Sequence, residues 1–362
     1  MILVGLTAKG QINSESIKNK PLRLGIIGLV HDHVRGVFQS ASNPDIEIVG
    51  IAEPDTALVA KYIKQYHINP RIIYKSVEEL IAKAKPEAVS VFTSISDHIN
   101  VVRICAPHKI HVMVEKPLAL NYQEALEMKK LSKKWGIEII TNYETTWYPV
   151  TKEAYVKIVQ DKLIGEPVKF VFHDGHKGPI EIGCSKDFTN WLTDPAKNGG
   201  GAIIDFGCYG ADLMSYIMNG ERPVSVTAIT EQIKPEIYPK VDDQATIVVN
   251  YPKAQGIIQA SWNWPFNRKD MEIYGKTGYI ITSDDVHMKM KTSEKSPEEQ
   301  LTIGSDKAIA NNPFSFLASV VRGKIKLAPN DPSSLDLNLV AMEILNDAVI
   351  SAKEGKTIYL KH

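Results

Sequence analysis

The chain has 362 residues, 44% hydrophobic and 23% charged, with 42 basic residues against 42 acidic ones. At roughly 150 residues per domain this length builds two domains with cores of their own, and zero net charge leaves no broad field for nucleic acid or anionic lipid. No apolar run approaches the ~20 residues that span a bilayer, so the expected partner is a small molecule, with no nucleic acid and no membrane.

The first residues, MILVGLTAKGQ, are a short apolar stretch followed by small residues. We expect residues 1–20 to be an extension outside the fold and the protein to be cytoplasmic, or periplasmic if this segment is the stump of a secretory signal. From Leu22 the pattern becomes regular. LRLGIIG and IEIVGIAE are apolar runs separated by a polar helical stretch, and TALVAKYIKQYH follows with helical spacing. AVSVFT, a helix from about residue 97 to 107, IHVMVE, the helix YQEALEMKKLSKKW and IEIIT continue the alternation to residue 141. Continuous apolar strands alternating with helices predict a parallel sheet covered on both faces over residues 21–144, a Rossmann-type domain. Ligands of such sheets sit beyond the carboxyl ends of the strands.

After about residue 144 the character changes. VTKEAYVKIVQDKLIG reads as one long helix, and PVKFVFHDG, PVSVTAITEQI, ATIVVNY, GIIQASWNW and MEIYG read as strands of a largely antiparallel sheet. SSLDLNLVAMEILNDAVISAKEG opens at a serine cap and closes at Gly355 as a final helix. Residues 145–362 are therefore expected to form an α+β domain, giving an α/β fold overall. The three cysteines, Cys105, Cys184 and Cys208, are too scattered for a disulfide framework or zinc cluster and are read as buried thiols.

The turn after the first strand, GIIGLVHDHVRG, bears on the cofactor. A dinucleotide fingerprint needs three glycines there; Gly28 supplies the first, while Val30 and His33 occupy the other two places. Because backbone N–H groups and a helix N-terminus make such an anion site, Gly28, Leu29, Val30 and His31 remain candidates for cofactor contact. His31 or His33 can add a donor; with no third ligand nearby in sequence, no metal is expected. Glu53, 25 residues beyond Gly28, stands where a carboxylate accepts from the adenosine ribose and repels a 2′-phosphate, with Asp55 as its rival. NAD is expected over NADP.

HVMVEKPLALN delivers Glu115, Lys116 and Pro117 at a strand end; TSISDH precedes it, and NGGGAIIDFGCYGADL follows further on. These stretches resemble the Gfo/Idh/MocA oxidoreductase family, whose E-K-P motif is matched at 115–117. T-P-N-x-x-H is matched at Thr93 and His98 with departures at Ser94 and Ile95. G-G-G-x-x-x-D-x-G-x-H-x-x-D is matched at Gly199–Gly201, Asp205, Gly207 and Asp212. Tyr209 stands in the place of the usual histidine, as in members similar to glucose-fructose oxidoreductase and dihydrodiol dehydrogenase. The resemblance implies hydride exchange between nicotinamide and a hydroxyl or carbonyl of a sugar, cyclitol or related polyol. It implies Lys116 at the reacting oxygen, Tyr209 in proton transfer and Asp205 orienting the substrate, with Thr93, Ser94, His98 and Glu115 beside the cofactor, and a homo-oligomer.

If residues 202–218 form one helix, Asp205 and Tyr209, four apart, share a face, and a neighbouring ammonium would favour the phenolate of Tyr209. Tryptophan stacks on sugar C–H surfaces, and imidazoles and carboxylates bind hydroxyls; His173, His176 and Trp191 are the leading substrate contacts, ahead of Asp174, Asp242, Asp243 and SWNWPFNRKD, because they precede the glycine-rich helix entry. Two rival functions follow from the same residues: a redox-neutral glycosidase or epimerase that retains its NAD, and a carbohydrate-binding relative that has lost it.

Overall fold

The computed structural model of the chain describes residues 20–40, 42–304 and 312–360; the expected extension lies, apart from Lys20, outside them. The first sheet is built from β1 (Leu22–Ile27), β2 (Ile46–Ala52), β3 (Ile73–Tyr74), β4 (Ala88–Val91), β5 (His111–Glu115) and β6 (Ile139–Asn142). All are parallel, in the order β3-β2-β1-β4-β5-β6. Strand order therefore reverses between β1 and β4, the place where two neighbouring loops leave in opposite directions and open a crevice. The helices between strands begin where side chains satisfy free N–H groups: Asp55 caps Thr56–Tyr66, Ser76 caps Val77–Ala84 and Asn121 caps Tyr122–Trp135. Strand β3 has only two residues and does not stand out in the sequence, whereas helix Val77–Ala84, short but amphipathic behind its Ser76 cap, carries a pattern the sequence reading did not use.

The second sheet has nine strands. β7 (Pro167–Gly175) lies at its centre, pairing parallel with β10 (Gln255–Ser261) and antiparallel with β11 (Arg268–Gly275). β9 (Gln244–Asn250), β8 (Ser225–Glu231) and the short β15 (Ile358–Tyr359) extend one side, β12 (Tyr279–Thr282), β13 (His287–Lys291) and β14 (Glu299–Thr302) the other. The last helix runs from its Ser334 cap to Gly355 in left-handed conformation.

Three sequence expectations change. The stretch expected as one helix to residue 165 is α-helical only over Pro149–Tyr155, continues as a π turn over Val156–Gln160, and stops. The helix expected over residues 202–218 is two, Ala202–Asp205 and Gly207–Ile217, broken at Phe206. Cys105 and Cys208 are buried, but Cys184 is only half-buried.

A further element joins the two regions. Helix Pro313–Val321, entered through the Asn312 cap, returns to the first sheet. Phe314, Phe316, Leu317 and Val320 share a core with Leu22, Leu24 and Ile26 of β1. Arg322 then pairs with Glu87 through two 2.7 Å bonds and donates to the Lys20 and Pro21 carbonyls. The other face of the first sheet shares one apolar cluster with the inner face of the second.

Candidate active site

A cavity of about 500 Å³ opens at the switch point. Gly28, Val30, Glu53, Thr93 and Ser94 line it. Gly28 has φ +80°, and a Cβ there would lie 2.7 Å from Thr93 and 2.9 Å from the Phe92 carbonyl, so this turn requires glycine. The carboxylate of Glu53 accepts from Leu29 N–H and Asp55 N–H, both at 2.9 Å, and so fixes the turn it faces. Burial raises its pKa, against those two hydrogen bonds. Its rival Asp55 is committed to capping the next helix.

Most N–H groups of the turn are already bonded: Gly28 to Ala52, Leu29 to Glu53, His31 to Phe92, and His33 to His31 Nδ1. Among the described residues Val30 and Asp32 keep theirs free. The helix that follows, Val34–Gln39, has only six residues. The turn offers fewer backbone donors than the sequence reading assumed.

Several expected cofactor residues stand back from the cavity. Leu29 is buried in the core of the first sheet. His98 is fully buried, its Nδ1 3.2 Å from the Leu118 carbonyl, and burial lowers its pKa to about 4. His31 is buried between His33, Phe188 and Trp191; burial, then His33, hold its pKa well below the ordinary value. Glu115, also buried, bonds His33 Nδ1 at 2.9 Å and accepts from Asn142 at 2.8 Å. The third ligand that the sequence seemed to lack is thus Glu115: ligand atoms of His31, His33 and Glu115 lie within 4.8 Å of one another. His31 Nδ1, however, accepts from a backbone N–H, which leaves the imidazole proton on Nε2, the nitrogen facing Glu115 at 3.9 Å. In this arrangement His33 bonds Glu115 through its ring and His31 through its backbone N–H, and His31 Nε2 offers no lone pair to a cation.

Trp191, expected at the substrate, lines the dinucleotide cavity and donates to the Val30 carbonyl at 3.4 Å. Its helix, Lys186–Leu192, brings the second region over the turn, where Ser185 N–H bonds Asp32.

Next to this lies a cluster drawn from both regions. Lys116, whose peptide bond to Pro117 is cis, reaches Asp205 Oδ1 at 2.5 Å and the Asp205 carbonyl at 2.9 Å. Asp205 Oδ2 accepts from Trp262 Nε1 at 2.9 Å. Both carboxylate oxygens are thus engaged within the protein. Burial works to lower the Lys116 pKa and to raise that of Asp205, but each outweighs this for the other: Lys116 is raised, Asp205 lowered, and the pair stays charged. The glycine-rich approach is equally specific. A Cβ on Gly201 would lie 1.7 Å from the Asp242 carbonyl, while the Asp242 carboxylate accepts from Gly201 and Ile203 N–H. Asp243 likewise anchors Ile233 and Lys234. These two aspartates build loops.

Tyr209 is buried, and Lys116 Nζ lies 5.1 Å from its ring centroid. Its hydroxyl has no hydrogen-bond partner among the described residues. Contrary to the phenolate expected from sequence, burial, followed by Glu144, pushes its pKa well above 10; the group is a neutral phenol. His176 packs edge-on against Phe206 at 4.8 Å. Its Nδ1 accepts from Gly178 N–H at 2.9 Å, leaving the proton on Nε2. His173 is not in this cluster: Phe170 and Phe172 face the core, so alternation puts Asp174 inward and His173 on the opposite face, 2.8 Å from Asp270.

Sequence reasoning missed Glu144 and ranked low both Asp174 and the stretch SWNWPFNRKD that contains Lys269. Lys269 pairs across strands with Asp174, forms an ion pair with Glu144, and holds its ammonium 4.8 Å from the Tyr209 centroid. Glu144, raised by burial but lowered more by Lys269, titrates at about 2. Asp174 is buried with Oδ2 unpartnered, and burial raises its pKa far above the ordinary value. A cavity of about 340 Å³, lined by Glu144, Tyr148, His176 and Lys269 among others, opens here.

A six-stranded parallel sheet in this order, with its cavity at the switch point, defines a dinucleotide-binding Rossmann protein carrying a second α+β layer. The chain belongs to the GFO/IDH/MocA family: residues 22–143 match its oxidoreductase domain with NAD-binding Rossmann fold, and residues 153–281 match its C-terminal domain. Among curated proteins it is 31% identical over 184 residues to trans-1,2-dihydrobenzene-1,2-diol dehydrogenase of Xenopus laevis, covering 51% of this chain and 52% of that one. The chain thus spans about half the length of that relative. The Sus scrofa protein of the same name is 24% identical, with 67% of each chain covered. An inositol dehydrogenase homolog of Azotobacter vinelandii, complexed with NAD+, shares the fold at TM-score 0.81 and 16% identity, over 94% of this chain and 98% of that one. Aldose-aldose oxidoreductase of Caulobacter crescentus does so at 0.78 and 20%, over 94% and 100%. Among the described residues no helix is long and apolar enough to cross a membrane.

Proposed function

We propose that the chain is an NAD-dependent oxidoreductase interconverting a CH–OH group and a carbonyl on a sugar, cyclitol or related polyol. The observation that carries this is the convergence of Lys116, Tyr209 and His176, three hydrogen-bond donors from both regions, beside the dinucleotide cavity. Each can donate to one substrate oxygen, which is what a carbonyl gaining a proton, or an alkoxide, requires. The relatives' names, a diol dehydrogenase and an aldose oxidoreductase, support the same substrate class.

The residues present fit NAD: Gly28 and Val30 would approach the pyrophosphate, Glu53 the adenosine ribose, and Thr93 and Ser94 the path toward the reacting centre. Bound NAD would supply the electron-pair acceptor, the alcohol giving up its C–H hydrogen with both electrons and its O–H proton. Lys116, kept charged by Asp205, stabilises negative charge on the oxygen. Tyr209, a neutral phenol, gives its proton to that oxygen during reduction and is reprotonated from water; in oxidation it takes the alcohol's O–H proton as it passes its own phenolic proton to water. Asp205 acts on Lys116 and not on the substrate. In this reading residues 21–144 with helix Pro313–Val321 hold the dinucleotide, the remainder holds the substrate, and the open face of the second sheet pairs with another copy, which light scattering would test. The deciding experiment is a screen of myo-inositol, D-glucose and trans-cyclohexane-1,2-diol, and the corresponding ketones, following nicotinamide absorbance with free NAD or NADH. Turnover with net change in absorbance supports the proposal; nucleotide binding with no change on any of them overturns it in favour of retained-cofactor chemistry.

A further inference from the structure

Tyr209 has an ammonium on its ring from each region. That of Lys116 is buried and locked to Asp205, whose other oxygen is held by Trp262. That of Lys269 is different. It stands on β11, lines the 340 Å³ cavity, and its counter-ion Glu144 lines the same cavity with 46% of its side chain exposed. Glu144 accepts from Tyr148 OH on its other oxygen, at 2.6 Å, so Oε2 is the one shared with Lys269; of the other carboxylates there, Asp285 and Asp284, the latter is engaged by His287 and two backbone N–H groups. The Lys269–Glu144 pair therefore presents a cationic donor and an anionic acceptor, side by side, to whatever fills the cavity next to the phenol.

We propose that Lys269 and Glu144 together read a free hydroxyl on the carbon next to the reacting one. The inference rests on the oxidoreductase reading above and assigns specificity to residues outside the family motifs. A hydroxyl both accepts and donates, so it can take a hydrogen bond from Lys269 Nζ and return one to Glu144, inserting into the pair with both charges satisfied. A hydrogen in its place offers neither bond, and an ether oxygen accepts but cannot donate, leaving the carboxylate without its share. Lys116 and Tyr209 meanwhile hold the reacting oxygen. Both ammoniums lie against the ring of the same phenol, 5.1 and 4.8 Å from its centroid, so a polyol whose reacting oxygen meets one has further oxygens within reach of the other. His176, with its proton on Nε2, lines the same cavity as a further donor.

The test uses whichever of the three polyols above the full chain oxidises, each beside its derivatives deoxygenated or O-methylated at the adjacent carbon. In the wild type kcat/KM is expected to fall about 10- to 100-fold for the deoxy compound, the size of a lost hydrogen bond to a charged group. It should fall comparably for the methyl ether. Lys269→Met should lower kcat/KM on the parent polyol and bring the deoxy ratio to within about threefold of unity. Glu144→Gln should erase the penalty on the ether while keeping most of that on the deoxy compound. If Lys269→Met does not fold, as judged by circular dichroism and NAD binding, Lys269→Gln is read in its place. A folded variant that loses activity equally on every member of a set, with the ratios unchanged, overturns the assignment of Lys269. A wild type that turns over none of the polyols fails at the oxidoreductase reading instead, so the two failures are distinguishable.

Discussion

The dinucleotide cavity and the reacting centre lie side by side and are held together by opposite means. Around the cavity, polar groups are satisfied over short range: Glu53 bonds the N–H groups of Leu29 and Asp55, and Asp55 caps its own helix. At the reacting centre each charge is met from far along the chain, Lys116 by Asp205 across 89 residues and Lys269 by Glu144 across 125. The turn and carboxylate of the first site are therefore set by its own sheet, and the second region adds only a wall, through Trp191. The second exists only when both regions have docked, because in its buried pair, Lys116 with Asp205, neither half tolerates the other's absence. Substitutions in the cavity should act on nucleotide affinity, and those at the centre on turnover.

The sharpest test of this division is Tyr209→Phe. Removing the phenol proton should lower kcat by about 10²- to 10⁴-fold while NAD binding, read by calorimetry, stays within about twofold; equal effects on both would merge the two sites. Lys116→Ala removes the charge that steadies the oxygen, and kcat should fall about 10²- to 10³-fold. Its melting temperature should drop as well, since Asp205 is left buried and unpaired. On the cavity side, Glu53 should favour NAD over NADP by about 30- to 150-fold, the worth of a lost charge-assisted hydrogen bond plus phosphate repulsion. Equal binding of the two would remove Glu53 from the ribose.

A pH test probes the interior behind the centre. Asp212 is buried with both carboxylate oxygens unpartnered, and burial, then Asp331, raise its pKa well above the ordinary value. Its folded form holds a proton more tightly than its unfolded form. The resulting stabilisation is complete below about pH 4 and declines as pH rises toward the folded value, by up to about 1.4 kcal/mol per unit. Asp212→Asn should melt at a temperature that varies less between pH 5 and 8 than the wild type; identical slopes would place the titration elsewhere. The smallest effect is expected from Val30→Gly, which frees space where close backbone approach is wanted. NAD affinity should stay level or rise severalfold, and a large loss in a folded variant would show that the valine itself contacts the nucleotide.

The strands of the first sheet were legible because a run buried on both faces is apolar throughout, and the motif residues Lys116, Asp205 and Tyr209 because they stand in recognisable stretches. What those residues do to one another was not. Local spacing put Asp205 and Tyr209 on one helix, whereas the break at Phe206 turns Asp205 toward Lys116 and Trp262. The phenol's protonation depends on burial by segments far away, which no local pattern carries. One signal was present and unused: alternation along Phe170, Phe172 and Asp174 already separates Asp174 from His173. Glu144 had none, and Lys269 stood unranked within SWNWPFNRKD, since each is an ordinary charged residue until the sheet and the end of β6 meet.

Helix Pro313–Val321 has a consequence for biosynthesis. The first sheet's outer face needs Phe314, Phe316, Leu317 and Val320 to close, so the region synthesised first must wait for residues made near the end. During translation, β1 and its neighbours would emerge with an apolar flank uncovered across almost 300 residues of elongation, a long-range closure that slows folding and prolongs exposure to aggregation. A nascent chain halted before residue 312 should therefore engage chaperones that a chain released past Arg322 does not.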